Sequence, residues 1–557
     1  MRHTFKTVAT AIVSIWLFAQ CTTPTPTSEA NYEVIPMPQE ISLNEGEAPF
    51  VLYSGTTIHY TAGNEDMERN AQFLSDFLAP QLGYQLKTKA GIENEGIVLQ
   101  LNEGEATEAY KITVDNKRVL VEATSPAGVF YGIQTIRKSL PVEKGAVVAL
   151  PAGTINDAPR FDYRGGHFDV CRHFFPIDSV KAYIDILALH NMNKLHWHLS
   201  EDQGWRIEIK KYPKLTEIGS VRCGTMINKD WDSCDSIPYG GFFTQEEARE
   251  IVKYAADRYI TVIPEIDMPG HMVAAVTSYP ELGCTGGPYE VRTTWGVSEE
   301  LLCAGNDKVY EFIDGVLDEI MDIFPSKDIH IGGDECPKTE WEKCPKCQAK
   351  IKELGLKKDD KYTAEQKLQA YFTKHVDNYL TEHGRNCIGW DEILEGGVSD
   401  NATVMSWRGE EGGIEAAQLG HRVIMTPNNY LYFDYYQTKD RENEPLAIGG
   451  YLPINTVYNY EPLPASLSPE QQKYIWGVQA NLWTEYIPTF SHALYMFLPR
   501  GAALSEIQWT QPEKKDYAKF KEERLPRLMK IYDLCGYNYS RRIFIDKEEE
   551  GNVNLGW

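Results

Sequence analysis

The chemistry this chain can do is concentrated in Ile329-His-Ile-Gly-Gly-Asp-Glu-Cys336, where a short apolar run passes through two glycines to adjacent carboxylic acids, Asp334 and Glu335. Carboxyl groups at the end of a buried strand are a common way to mount a general acid or base on the rim of a barrel. A Gly-Gly-Asp-Glu run is also an ordinary surface turn, so its meaning depends on what shares the rim. Much does. Asp169 and Arg172, Glu201 and Asp202, Glu265, Asp267 and His271, Trp390 and Asp391, Trp407 and Arg408, Tyr432 and Asp434, and Trp483 and Glu485 all follow apolar runs of their own.

Those runs set the architecture. Strands are expected at Tyr163–Asp169, Lys194–Leu199, Ile260–Pro264, Ile329–Gly332, Asn386–Trp390, Ala402–Trp407, His421–Met425 and Ile475–Ala480. Nearly all are followed by amphipathic stretches, one beginning with a capping box at Thr244 and Glu247. Strands alternating with helices in this number predict a (β/α)8 TIM barrel over residues 156–545, with the polar residues gathered on one rim. Residues 32–155 read differently. Tyr110–Asp115 and Arg118–Ala123 flank a turn at Asp115-Asn116-Lys117, and a helix is expected from Gly128 to Leu140. This is a small α+β domain without catalytic clusters.

Composition narrows the function classes. The 557 residues are 42% hydrophobic and 24% charged, ordinary for a folded protein with a large core. A net charge of −25 argues against binding a nucleic-acid backbone, which needs clustered Lys and Arg. Residues 1–20 have the build of a secretory signal, with Arg2, His3 and Lys6 before an apolar run from Val8 to Ala19. Cys21 opens a Thr- and Pro-rich tether through residue 31 and resembles the lipid-attachment cysteine of bacterial lipoproteins; a soluble exported protein with a spent signal is the alternative. Export to the periplasm or the outer membrane is expected, and residues 546–557 read as a tail. No later segment reaches the roughly 18 apolar residues of a membrane span. Of eleven cysteines, Cys336, Cys344 and Cys347 lie close in sequence. Three thiols fall short of the four ligands of structural zinc, so a disulfide or free thiols is the reading, and no metal is expected.

Taken together, His196-Trp-His-Leu-Ser-Glu-Asp-Gln-Gly-Trp-Arg206, Pro264-Glu-Ile-Asp-Met-Pro-Gly-His271, Gly332-Gly-Asp-Glu335 and Gly477-Val-Gln-Ala-Asn-Leu-Trp-Thr-Glu485 resemble the β-N-acetylhexosaminidases of glycoside hydrolase family 20. Tyr163-Arg-Gly, Asp169-Val-Cys-Arg-His-Phe174 and the early Ile35-Pro-Met-Pro-Gln segment extend the resemblance from about residue 32 to 540. It implies a substrate-assisted mechanism, a stated exception to the two-carboxylate scheme of glycosidases. On that resemblance Glu335 is the general acid and base, and Asp334 orients the substrate's 2-acetamido group. Tyr432 holds the acetamido oxygen, and His271 and Glu201 form a relay behind Glu335. The family often has two aspartates where this chain has Glu201 then Asp202, one methylene longer. Trp390, Trp407 and Trp483 would wall the acetamido methyl, Arg164 and Glu485 would grip the 3- and 4-hydroxyls, and Asp434 the 6-hydroxyl. Asp169, Arg172 and Asp267 read as ion pairs that stiffen the rim, and His196 and His198 as structural.

The expected activity is retaining, exo-acting removal of terminal β-linked GlcNAc, with GalNAc as second candidate, from oligosaccharides or glycoconjugates, without a cofactor. A lacto-N-biosidase-like enzyme that releases a disaccharide would need the pocket opened around Arg164 and Glu485. A catalytically silent glycan-binding lipoprotein would have no need of the acid at Glu335.

Overall fold

The computed structural model describes residues 24–544; the expected signal, Cys21 and the tail lie outside them. Eight strands close into a barrel: β1 (Tyr163–Asp169), β2 (Lys194–His198), β3 (Thr261–Glu265), β4 (Asp328–His330), β5 (Asn386–Trp390), β6 (Thr403–Ser406), β7 (Val423–Met425) and β8 (Ile475–Ala480). Neighbours pair in parallel all the way round, and β1 closes on β8 through Gly165 opposite Gln479. Every residue of β1 is buried, because such a strand is covered by the barrel interior on one side and by helices on the other.

The helices show why they cover it. Helix Asp307–Ile323 starts at the Asn306 cap and turns Val309, Phe312, Ile313, Val316, Leu317 and Ile320 inward. Each large apolar side chain so buried contributes about 1.5–3 kcal/mol. The helix Gln245–Ala256 carries the expected capping box, with Thr244 accepting from the Glu247 backbone and the Glu247 side chain accepting in return. The alternation fails after β5, where only the 3-10 turn Asp391–Leu394 precedes β6, and it weakens after β7. Only the short turn Asn428–Leu431 follows it, and the chain then runs through Tyr432 and Asp434 across the rim before the next helix at Ile454–Asn459.

Ahead of the barrel, seven strands form a mixed sheet packed against helices Glu65–Leu82 and Pro126–Ser139. The expected hairpin is present, Tyr110–Val114 antiparallel to Arg118–Ala123, with the Asp115 carboxylate accepting from the N–H groups of Lys117 and Arg118. Its helix begins at Pro126, capped by Ser125, two residues before the expected start. Proline is favoured there because its missing N–H costs nothing in the first turn. This domain is fixed to the N-terminal end of the barrel strands, away from the rim, by Arg164 and by Trp509, whose indole N–H donates to Asp157 at 3.0 Å.

Candidate active site

Asp334 and Glu335 follow β4 on a loop whose path only glycine permits. Gly332 has φ 67°, and a Cβ there would lie 1.7 Å from Asp267 Oδ1. The Gly333 N–H donates to that same oxygen at 3.2 Å, Gln369 donates to the Gly333 carbonyl at 2.8 Å, and the Trp390 N–H donates to the Gly332 carbonyl at 2.9 Å. So anchored, the loop holds Glu335 at φ 46°, and His271 opposite it sits at φ 52°. Left-handed backbone at a non-glycine residue costs of order 1–3 kcal/mol and concentrates at functional sites.

His271 joins the two acids. Its Nε2 lies 3.6 Å from Glu335 Oε2 and 3.7 Å from Asp334 Oδ2, and its Nδ1 is 2.8 Å from Glu201 Oε1. The two carboxyls differ in setting: the Asp334 side chain is 13% exposed and that of Glu335 40%. Burial alone would disfavour the imidazolium, yet Glu201 and the two rim acids raise His271 well above its ordinary value. Burial would likewise raise Glu335, but the His271 charge holds it below the usual range. For Asp334, burial wins over His271, and with the Glu335 charge the carboxyl is pushed up to about 6. The His271–Glu335 pair therefore holds one proton over a wide range, a property of the pair rather than of either residue.

The relay runs deeper than the sequence indicated. Glu201 also lies 3.3 Å from His198 Nε2 and 2.8 Å from Arg172. His198 Nδ1 is 2.5 Å from Glu265, which also has His196 and His330 at 3.0 Å and accepts from the Trp390 indole at 2.9 Å. Burial opposes charge on His198, but Glu265 and Glu201 carry it up to about 10; burial and His330 instead push His196 down to about 4. His196 and His198 are thus structural members of a buried hydrogen-bonded hub at the barrel centre. The apolar runs marked the strands but not that side chains of β2, β4 and β5 converge on Glu265 of β3.

Beside the acids the aromatic groups form a continuous wall. Trp390 and Trp483 have ring centroids 5.9 Å apart, Trp483 and Tyr432 6.5 Å, and Tyr432 stacks on Trp407 at 6.1 Å. The Trp407 indole donates to Glu392 at 2.9 Å, which fixes the ring; Glu392 was not singled out from sequence. Burial raises the Tyr432 hydroxyl well above its ordinary value and keeps it a neutral donor.

Arg164 does not reach this site. It is the second residue of β1, at the opposite end of the barrel, and donates to Glu108 at 2.7 Å, the carbonyls of Phe161 and Asn191 at 2.9 Å, and Tyr131 at 3.0 Å. The arginine at the rim is Arg172, just past the other end of β1. It pairs with Asp169 at 3.2 Å and Glu201 at 2.8 Å, and its guanidinium lies 4.9 Å from the Trp483 ring centroid. Glu485 and Asp434 complete that side. Burial raises both carboxyls; Arg172 opposes the rise in Glu485, and the Glu485 charge adds to it in Asp434. Among the described residues Asp334 Oδ1, Asp434 Oδ1, Glu485 Oε2 and Arg172 Nε have no hydrogen-bond partner. Buried polar atoms are rarely left so, and together they outline a polar binding site next to the aromatic wall.

Comparison with known proteins agrees with this geometry. Residues 161–512 match the model of the glycosyl hydrolase family 20 catalytic domain, and residues 31–158 that of domain 2 of the same family. The chain belongs to glycosyl hydrolase family 20. A beta-hexosaminidase of Porphyromonas gingivalis is 44% identical over 92% of this chain, and the match spans 65% of that protein's length. A beta-hexosaminidase of Akkermansia muciniphila is 34% identical over 78% of this chain and 86% of its own. The solved family 20 beta-N-acetylhexosaminidase of Streptomyces coelicolor superposes with a TM-score of 0.78 at 32% identity, covering 93% of this chain and 99% of that one. A Streptomyces plicatus beta-hexosaminidase mutant solved with its product GlcNAc is equally similar, with TM-score 0.78 and 32% identity over 93% of this chain and 97% of that one. The (β/α)8 barrel behind a small α+β domain is thus the family 20 arrangement.

Proposed function

We propose that this family 20 chain is a retaining exo-β-N-acetylhexosaminidase releasing terminal β-linked GlcNAc, with GalNAc as second substrate, from oligosaccharides or glycoconjugates. The observation that carries the reading is Asp334, with one unpartnered buried oxygen, beside His271 on the rim that also carries the wall of Trp390, Trp407, Trp483 and Tyr432. An apolar wall ending in a carboxylate and a phenol suits an acetamido group: methyl to the indoles, N–H to Asp334, carbonyl oxygen to the Tyr432 hydroxyl. So held, the carbonyl oxygen attacks the anomeric carbon as the glycosidic C–O bond breaks, and the leaving oxygen takes through Glu335 the one proton that the His271–Glu335 pair holds. Water then attacks the bicyclic oxazolinium intermediate, and its proton returns to Glu335. Two displacements at one carbon retain configuration.

Arg172, Glu485 and Asp434 replace the expected Arg164 set as the groups for the sugar's remaining hydroxyls. Their charges act on one another, so they line one side of a single polar site, which favours a pocket for one terminal sugar over a disaccharide site. Export, with Cys21 as a lipid anchor, belongs to the same proposal and rests on residues outside the described range.

Paired hydrolysis of an aryl β-N-acetylglucosaminide and the matching aryl β-glucoside tests the reading. Cleavage of the first alone is expected, because only it carries the internal nucleophile. Comparable cleavage of both would place an enzyme carboxylate in that role.

A further inference from the structure

The cysteines group differently from their spacing. Cys336 stands apart, its thiol 3.8 Å from the Pro337 carbonyl. Cys344 and Cys347 meet instead two residues distant in sequence, Cys284 and Cys303. The Cys303 sulfur is 3.6 Å from those of both Cys344 and Cys347, and Cys284 is 4.0 Å from Cys347. All four sulfurs lie within 4.8 Å of one another. From this arrangement we infer a structural zinc site of four thiolates, Cys284, Cys303, Cys344 and Cys347, that braces the loops carrying His271 and Glu335.

The distances favour a metal over two disulfides. A tetrahedral centre with Zn–S bonds of about 2.3 Å sets its sulfurs roughly 3.8 Å apart. A disulfide needs about 2.05 Å between two sulfurs, which would divide the cluster into pairs. Here Cys303 is equidistant from two candidates, so no pairing stands out. Zinc binding converts four thiols to thiolates and releases their protons to solvent. The surroundings suit thiolates. Cys344 caps the helix Pro345–Glu353 and Cys347 lies in its first turn, where the helix dipole favours negative charge. The loop that carries Cys303 continues directly into Gly305. Gly305 is itself constrained, since a Cβ there would lie 2.2 Å from the Lys346 carbonyl carbon. The backbone of the Cys303 loop thus rests directly on the Cys344–Cys347 turn.

The consequence reaches the active site. Between these cysteines the Leu302 N–H donates to the Pro269 carbonyl at 3.1 Å, two residues before His271, and the Trp341 indole donates to the Leu302 carbonyl at 3.0 Å. Trp341 and Cys344 follow Glu335 on the next loop. One ion would therefore lock the loops after β3 and β4 together without touching substrate.

The test is elemental analysis of the full chain, purified without chelator or a histidine tag. About one zinc per chain is expected, released by a mercurial titrant as four thiols become reactive. Cobalt added to the reduced, metal-free chain under anaerobic conditions should give the charge-transfer and ligand-field bands of tetrahedral cobalt thiolate. The Cys344→Ser, Cys347→Ser double variant should hold less than about a tenth of that zinc. If it is insoluble, Cys284→Ser, at the half-buried edge, serves instead, and Cys535→Ser is the control that keeps its metal. A chain without zinc whose mass is lower by the hydrogens of two disulfides within the cluster would overturn the inference. So would four free thiols that take up no zinc when the reduced chain is titrated anaerobically.

Discussion

Arg164 and Arg172 belong to one strand and the turn beyond it, and both are buried and paired with carboxylates. Their surroundings separate them. Arg164 spends its donors on Glu108, Tyr131 and two backbone carbonyls, tying the barrel floor to the N-terminal domain. Arg172 keeps Nε unpaired and faces Glu485 across the open rim. The same residue type is a fastener at one end of a barrel strand and, in the proposed function, a ligand-binding group at the other. In a parallel barrel the direction of the strand, not the chemistry of the side chain, decides which.

The contrast is sharpest where the rim does chemistry that the floor cannot. Glu335→Gln should lower kcat on poorly departing alcohols by about 10³–10⁴-fold, the upper range for general acid catalysis. On activated aryl glycosides, whose leaving oxygen needs no proton, the first step should be far less affected. Equal loss on both would remove Glu335 from the acid role.

The two arginines themselves give the next largest effects. Arg172→Lys keeps the charge but loses the planar fork. It should reduce kcat/KM about 100-fold, the equivalent of the 2–3 kcal/mol of a charge-assisted hydrogen bond. Arg164→Lys should leave kcat/KM of the folded enzyme unchanged and lower the thermal unfolding midpoint by several degrees, because buried Arg164 donates to both domains. Lost activity in Arg164→Lys with an unchanged midpoint would reverse the assignment of the two ends.

That assignment also marks what the sequence could carry. The eight strands were legible because each is an apolar run ending in polar residues, and the rim followed from the barrel. Arg164 lies at the floor because it is the second residue of β1, and a motif match does not distinguish that end of the strand from the rim. The Cys284–Cys303–Cys344–Cys347 cluster escaped because nearness in sequence stood in for nearness in space, and the loop after β3 had to fold back before four thiols could meet. Glu265 shows a third limit. Its place on β3 was readable, but its three histidine partners come from β2 and β4 and needed the barrel's closure and register.

The smallest effect is the most discriminating, because it separates two buried acids on the same rim. Asp334 must be ionised to accept the acetamido N–H, and burial, against His271 and with Glu335, pushes it up to about 6. As pH rises through that value Asp334 loses its proton, so kcat/KM should climb about tenfold per pH unit below it and then level off. His271, raised well above its ordinary value, keeps the pair's proton through neutrality, so the alkaline fall should come well above pH 7. In the bound complex the substrate N–H favours the carboxylate, so the acid limb of kcat should lie at lower pH than that of kcat/KM. Asp202 is a rival for the limb, since burial and the Glu201 charge also push it up to about 6. Asp334→Asn, followed on an activated aryl substrate, decides between them. Loss of the limb assigns it to the residue that holds the acetamido group; a limb that persists in the slower variant belongs to another raised acid of the rim, Asp202, Asp434 or Glu485.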